Sequence, residues 1–259
     1  MIQLQKMKPE VLINSSYLET YERELEALWW QLIQLNANFF VLEKIQSFPF
    51  DLFKPILTPF WQLIYTSLFE TSLMIISRLV DPDKRTLTFQ SFKDRVNKNM
   101  INKKYNLQLN NVIKRISFEI KILNIRKRVK EVRNKRLAHY DRKWIKKYMS
   151  KLPQKTLAFP SLKEIKDMRD TLNSIFNLFC FGHGKAILPV DYISKARYAY
   201  DIDNRSDIEI LLDNIAKESP LLKMPEEQPN YWSEYRKTLS GKEINILNQY
   251  RKKFGLSKV

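Results

Sequence analysis

The chain has 259 residues and a formal net charge of +17, and 44% of it is hydrophobic. That apolar share excludes a disordered chain, and the charge excess points to a polyanionic partner, most simply nucleic acid. The single cysteine, Cys180, excludes an intrachain disulfide, and sparse cysteine usage fits a cytoplasmic protein.

The start, MIQLQKMKPE, has no apolar run, so no signal peptide is expected. Ser16 followed by Glu19 reads as a capping box opening a helix over 17–45. Leu18, Tyr21, Leu25, Leu28, Leu32, Leu35, Phe39 and Leu42 give that helix one apolar face. Pro49 ends the segment, and Thr58 with Pro59 opens a second helix that stops at Asp81–Pro82. Residues 59–80 are the most apolar stretch, yet Gln62, Glu70 and Arg78 interrupt them. The stretch therefore reads as a buried helix rather than a membrane span. A short helix over 89–96 is expected next.

A third long helix is predicted over 109–139, followed by a polar link containing Pro153. Ser161 and Glu164 form another capping box, opening a fourth helix that runs through Leu172 and Phe179 to Gly182. Cys180, among Phe176, Phe179 and Phe181, reads as a buried thiol. Beyond 184 the helical period weakens: a short helix over 208–216, a linker SPLLKMPEEQP, and a final helix capped by Ser240 and Glu243. The expected fold is all-α: a bundle of four long helices over 15–184, with a mostly helical C-terminal appendage over 185–259.

Charge is concentrated in the third helix and in the residues just beyond it. Residues 113–147 hold 14 lysines and arginines against three acids, Glu119, Glu131 and Asp141. Such clustering marks a binding surface rather than general solubilisation. The apolar positions Ile122, Ile125, Val129 and Val132 are spaced three, four, three, and the same spacing continues with Arg136 and His139. At 100° per residue these six share one face, with Arg133 about 60° from Arg136 on its edge. An apolar face thus turns cationic. Buried unpaired charge is costly, so these groups are expected at a wet cleft, a subunit interface or an anionic ligand. The plainer alternative is that the cations snorkel past the core edge while His139 bonds a carbonyl.

The run RNKRLAHYD resembles the HEPN motif, in which an arginine precedes a histidine by several residues and a polar residue often follows the arginine. Arg133, Asn134 and His139 match it. The aromatic first helix, the passage RLVDPDKRTLTF and the motif closing the third helix are together similar to the AbiU-type, abortive-infection branch of that superfamily. The likeness runs over residues 15–183. It implies a helical bundle, a metal-independent endoribonuclease acting in phage defence or as a toxin, and a homodimer that brings two motifs to one cleft.

The residue types suit that chemistry. RNA carries its own nucleophile, the 2′-OH; imidazole moves protons near neutrality, and arginine offers a planar donor fork to phosphate. The resemblance therefore casts His139 in proton transfer and Arg133 on the phosphate, with Asn134 and Arg136 supporting. Lys127, Lys130, Lys135, Arg142 and Lys143 are candidate RNA contacts. Some HEPN toxins carry a tyrosine near the motif that a partner nucleotidyltransferase modifies. Tyr140 stands beside His139 here rather than one residue further on, which departs from that pattern. An antitoxin or nucleotidyltransferase is the corresponding partner.

Two histidines and one cysteine do not make a zinc site at the common spacings, and no glycine-rich nucleotide loop occurs, so neither metal nor cofactor is expected. FGHGK, with His183, reads as a helix end. Glu70 and Asp81 read as a helix-face charge and a turn former, although helix two could bring them near the motif. Two rival functions remain: a non-catalytic HEPN scaffold that holds RNA or a partner, and a DNA-binding regulator.

Overall fold

The computed structural model describes residues 2–53, 58–83, 85–132, 160–182 and 206–259. Those residues are all-α, with no strand among them and one isolated antiparallel bridge, Ile13 to Met100. In chain order the helices are α1 (Ile2–Lys6), α2 (Pro9–Leu12), α3 (Ser15–Ser47), α4 (Phe50–Phe53), α5 (Thr58–Leu79), α6 (Phe89–Lys98) and α7 (Lys103–Arg115). They continue with α8 (Phe118–Val132), α9 (Leu162–Leu178), α10 (Asp207–Lys217), α11 (Pro220–Glu227), α12 (Pro229–Arg236) and α13 (Gly241–Lys253).

The chain divides into two compact units, Met1–Phe39 with Leu68–Tyr192, and Phe40–Ser67 with Ile193–Val259. In the first, α3 supplies the central stripe: Tyr21, Leu25, Leu28, Leu32, Leu35 and Phe39 are all buried. Each such side chain contributes about 1.5–3 kcal/mol on leaving water. Against them lie Leu73, Ile76 and Leu79 of α5, Phe89, Phe92 and Val96 of α6, and Ile165, Leu172 and Phe176 of α9. Polar ties fix the register of α3 on α9. Asn36 and Asn173 exchange amide hydrogen bonds of 3.1 and 3.0 Å, and the Arg169 guanidinium lies 4.1 Å over the Phe39 ring.

Three local expectations are corrected. The start of α3 is capped by Asn14, whose Oδ1 accepts the Ser16 amide at 3.2 Å; the box expected of Ser16 and Glu19 does not form, and Glu19 pairs with Arg23. The third long helix is two helices, α7 and α8, broken at Ser117, which adopts φ 55°. The break has a packing cause. In one continuous helix Ile113 and Ile122 would point about 180° apart, yet both are buried. Resetting the phase at Ser117 turns Leu109 and Ile113 of α7 and Phe118, Ile122, Ile125 and Val129 of α8 into the same core. Finally, the expected linker around 219–229 is helical: Pro220 and Pro229 occupy first-turn positions of α11 and α12, where proline costs no hydrogen bond.

At the end of α9 the chain turns through Gly182, with φ 61°. Its amide donates to Gln5 O at 2.8 Å, and Gln5 Nε2 donates to Asn177 O at 2.7 Å. This latch holds α1 against the end of α9. Nearby, the Tyr21 hydroxyl donates to Phe179 O at 2.5 Å. Cys180 is buried there, as its phenylalanine neighbours implied.

The second unit has its own core of Leu212, Ala216, Leu221, Leu222, Trp232 and Leu247. Phe53 meets Tyr250 edge-on, with ring centroids 4.8 Å apart. Lys44 pairs with Glu209 at 2.5 Å. Arg251 is fully buried; it donates to Leu222 O, to Glu226 and to Ser257 O. One side chain thereby ties α13 to α11 and to the residues after α13.

Candidate nucleic-acid interface

The helix that leads into the basic motif is α8. Its buried positions Phe118, Ile122, Ile125 and Val129 turn one side to the core, so positions about half a turn away face outward. Lys127 and Lys130, two of the expected RNA contacts, are exposed there. Arg133, Asn134, Lys135, Arg136, His139, Tyr140, Arg142 and Lys143 lie outside the described residues.

Two arginines anchor α8 on either side of its buried stripe. Arg126 Nε donates to Val80 O at 2.8 Å, a carbonyl just past the end of α5 that has no further helical turn to bond. Arg128 reaches the other way. Its Nε lies 2.9 Å from Glu164 Oε1, and its Nη2 lies 3.1 Å from Oε2, a forked pair with the first turn of α9. Glu164 also closes the capping box by accepting the Ser161 amide at 2.7 Å. The Arg128 guanidinium first, and the Ser161 amide second, hold the Glu164 carboxyl down at about 2. The last described turns of α8 are thus fixed between the ends of α5 and α9. The third-helix pattern did not single out either arginine. Their signal was positional, since both flank the stripe and a cation there must reach sideways.

Beside Arg126 opens a cleft of about 480 Å³, lined among others by Asp81, Asp83, Gln90, Asp94, Glu119 and Leu123. Asp81, expected as a turn former, does that work: its Oδ1 accepts the Asp83 amide at 2.9 Å. It also shares the cleft with Arg126. Asp94 and Glu119 are both tied to Lys93. Among the described residues no group of histidine, cysteine or acidic side chains is arranged to hold a metal ion, and no helix is long and apolar enough to cross a membrane.

The sequence model of the AbiU2 family, a HEPN family, matches residues 18–211, most of the chain. The chain belongs to the AbiU2 family. No curated protein and no solved structure matches it. It is therefore an abortive-infection-related HEPN protein with an all-α fold. The match begins within α3, takes in α8 and the sequence positions 133–139 that follow it, and ends within α10.

Proposed function

We propose that this AbiU2-family chain is a metal-independent endoribonuclease of phage defence or a toxin system, cutting RNA by attack of the 2′-OH at a homodimer cleft. One observation carries the reading. The buried stripe of α8 holds its three-and-four spacing through Ile122, Ile125 and Val129, and the sequence continues it with Arg136 and His139, Arg133 beside them. A core-facing stripe that turns cationic calls for an anion.

In this account His139 accepts the 2′-hydroxyl proton, and a second imidazole, from the other copy, protonates the leaving 5′-oxygen. Arg133 and Arg136 carry the charge that builds on the phosphoryl group, while Asn134 orients them. The nucleophile belongs to the substrate, so the products are a 2′,3′-cyclic phosphate and a 5′-hydroxyl. A two-fold axis supplies two imidazoles from one motif per chain. Crowded cations there favour the neutral form of the imidazole that acts as base, and the anionic RNA phosphate stabilises the protonated form of the one that acts as acid.

The test is cleavage of a mixed RNA pool by wild type and His139→Ala. Fragments from wild type alone, with RNA bound equally by both, are expected; equal cleavage by both would remove His139 from the chemistry. A full-activity monomer would remove the shared cleft. The non-catalytic binder has one observation in its favour, the exposed Lys127 and Lys130 on α8. It predicts that their loss weakens RNA binding while His139→Ala changes nothing.

A further inference from the structure

The side of α7 and α8 that faces away from the core is almost free of acids. Residues 98–132, to the end of α8, hold ten lysines and arginines against two acids, Glu119 and Glu131, and Glu119 is engaged by Lys93. On α7 the buried positions are Leu109 and Ile113; Lys103, Lys104, Asn111, Lys114 and Arg115 are all exposed. The exposed row continues across Ser117 into Lys121, Asn124 and Lys127 of α8. None of these six cations forms an ion pair among the described residues.

Several other cations of the same unit are paired: Arg95 with Glu24, Lys93 with Asp94, Arg128 with Glu164, Arg169 with Asp170. Leu107 and Ile120, 65% and 61% exposed, stand within the row.

We propose that this face is a track for the RNA backbone, running from α7 along α8 toward the motif. The proposal rests on RNA being the ligand of the Arg133–His139 site and adds where the rest of the strand lies. Phosphates would meet Lys103, Lys104, Lys114, Arg115, Lys121 and Lys127; Asn111 and Asn124 would add hydrogen bonds, and Leu107 and Ile120 apolar contact. From Lys121 to the end of α8 the helix rises about 16 Å, so the track grips RNA well away from the bond that is cut. A second copy of the same face is disfavoured by like charge. A bilayer is disfavoured because a surface-lying helix needs its apolar face free, and Leu109 and Ile113 are already in the core.

The test uses the full chain with His139→Ala, so that RNA stays whole, and a fluorescent single-stranded RNA of mixed sequence titrated at several KCl concentrations. One variant carries Lys114→Gln, Arg115→Gln and Lys121→Gln. The control carries Lys223→Gln, Lys242→Gln and Lys258→Gln, three exposed lysines of the second unit. The first triple is expected to flatten the plot of log affinity against log salt by about 2 and to weaken binding about tenfold near physiological salt; the control should do neither. Equal slopes in all three proteins overturn the track. Equal losses in both triples also overturn it, since net charge alone would then suffice. So does a first triple that keeps RNA but loses attachment to phosphatidylserine vesicles. The two proposals fail separately. Intact wild-type RNA with a flattened slope in the triple sinks the nuclease and leaves the track, whereas cleaved RNA with an unmoved slope sinks only the track.

Discussion

Gly182→Ala is the sharpest single perturbation of the fold. The residue sits at φ 61°, and a Cβ there would lie 2.9 Å from Met7 O and 3.0 Å from Lys8 Cα. A left-handed alanine costs about 1–2 kcal/mol. The clash falls on backbone rather than on the tip of a mobile side chain. Relieving it means displacing the segment between α1 and α2, and with it the 2.8 Å bond from Gly182 N to Gln5 O; that adds about 1–2 kcal/mol. The reduced freedom of alanine in the unfolded chain returns about 0.4–1 kcal/mol. The net expectation is a loss of about 2–3 kcal/mol, or roughly 4–10 °C in Tm for a chain of this size. Thermal melts followed by far-UV circular dichroism measure it. Gly182→Asn separates the two costs, because asparagine tolerates the left-handed region but brings the same Cβ; it should recover about 1 kcal/mol of the loss. An alanine variant as stable as wild type would refute the latch.

Tyr21→Phe removes the hydroxyl that donates to Phe179 O inside the core, leaving a buried carbonyl short of a partner; urea unfolding should lose about 1–2 kcal/mol. Arg251→Lys discards the fork that holds Leu222 O, Glu226 and Ser257 O. It should destabilise the second unit by about 2–3 kcal/mol, read as faster hydrogen exchange of α11 amides. Glu164 has its carboxyl lowered from 4.5 to about 2, so its ionised form stabilises the fold above the unfolded value, and that contribution fades as pH falls from about 4.5 toward about 2. Glu164→Gln should flatten the acid limb of a stability-against-pH curve in that window and leave its neutral-to-alkaline shape alone. An unchanged acid limb would remove the Arg128–Glu164 pair from the account.

The long-range frame was legible because α3 and α9 write their buried faces at helical spacing. Leu25, Leu28, Leu32, Leu35 and Phe39 are buried as the period requires, and the Ser161–Glu164 and Ser240–Glu243 boxes form as read. Near the first helix, Asn14 and Ser16 are both good caps, and one wrong choice moved the start by two residues. Ser117 carries no punctuation signal; the clue was the phase change between Ile113 and Ile122, visible only when both are known to be buried. Prolines at 220 and 229 read as breakers because spacing alone does not tell a first-turn proline from an interior one. The association of Phe40–Ser67 with the C-terminal helices joins segments far apart in the chain, and such pairing leaves no local period. At the site, the direction of the α8 stripe was readable. The Arg126 and Arg128 anchors were not, since their partners Val80 and Glu164 come from other parts of the chain.

The central claim is that the substrate's own 2′-hydroxyl is the nucleophile, driven by the motif histidine. It is tested most directly on one RNA with a mapped cut, in excess EDTA, by identifying the product ends and repeating the reaction with a single 2′-deoxy nucleotide at the cut. The account predicts a 2′,3′-cyclic phosphate from wild type, nothing from His139→Ala, and an intact deoxy substrate. Cleavage of the deoxy substrate, or fragments ending in a 3′-hydroxyl, would contradict it.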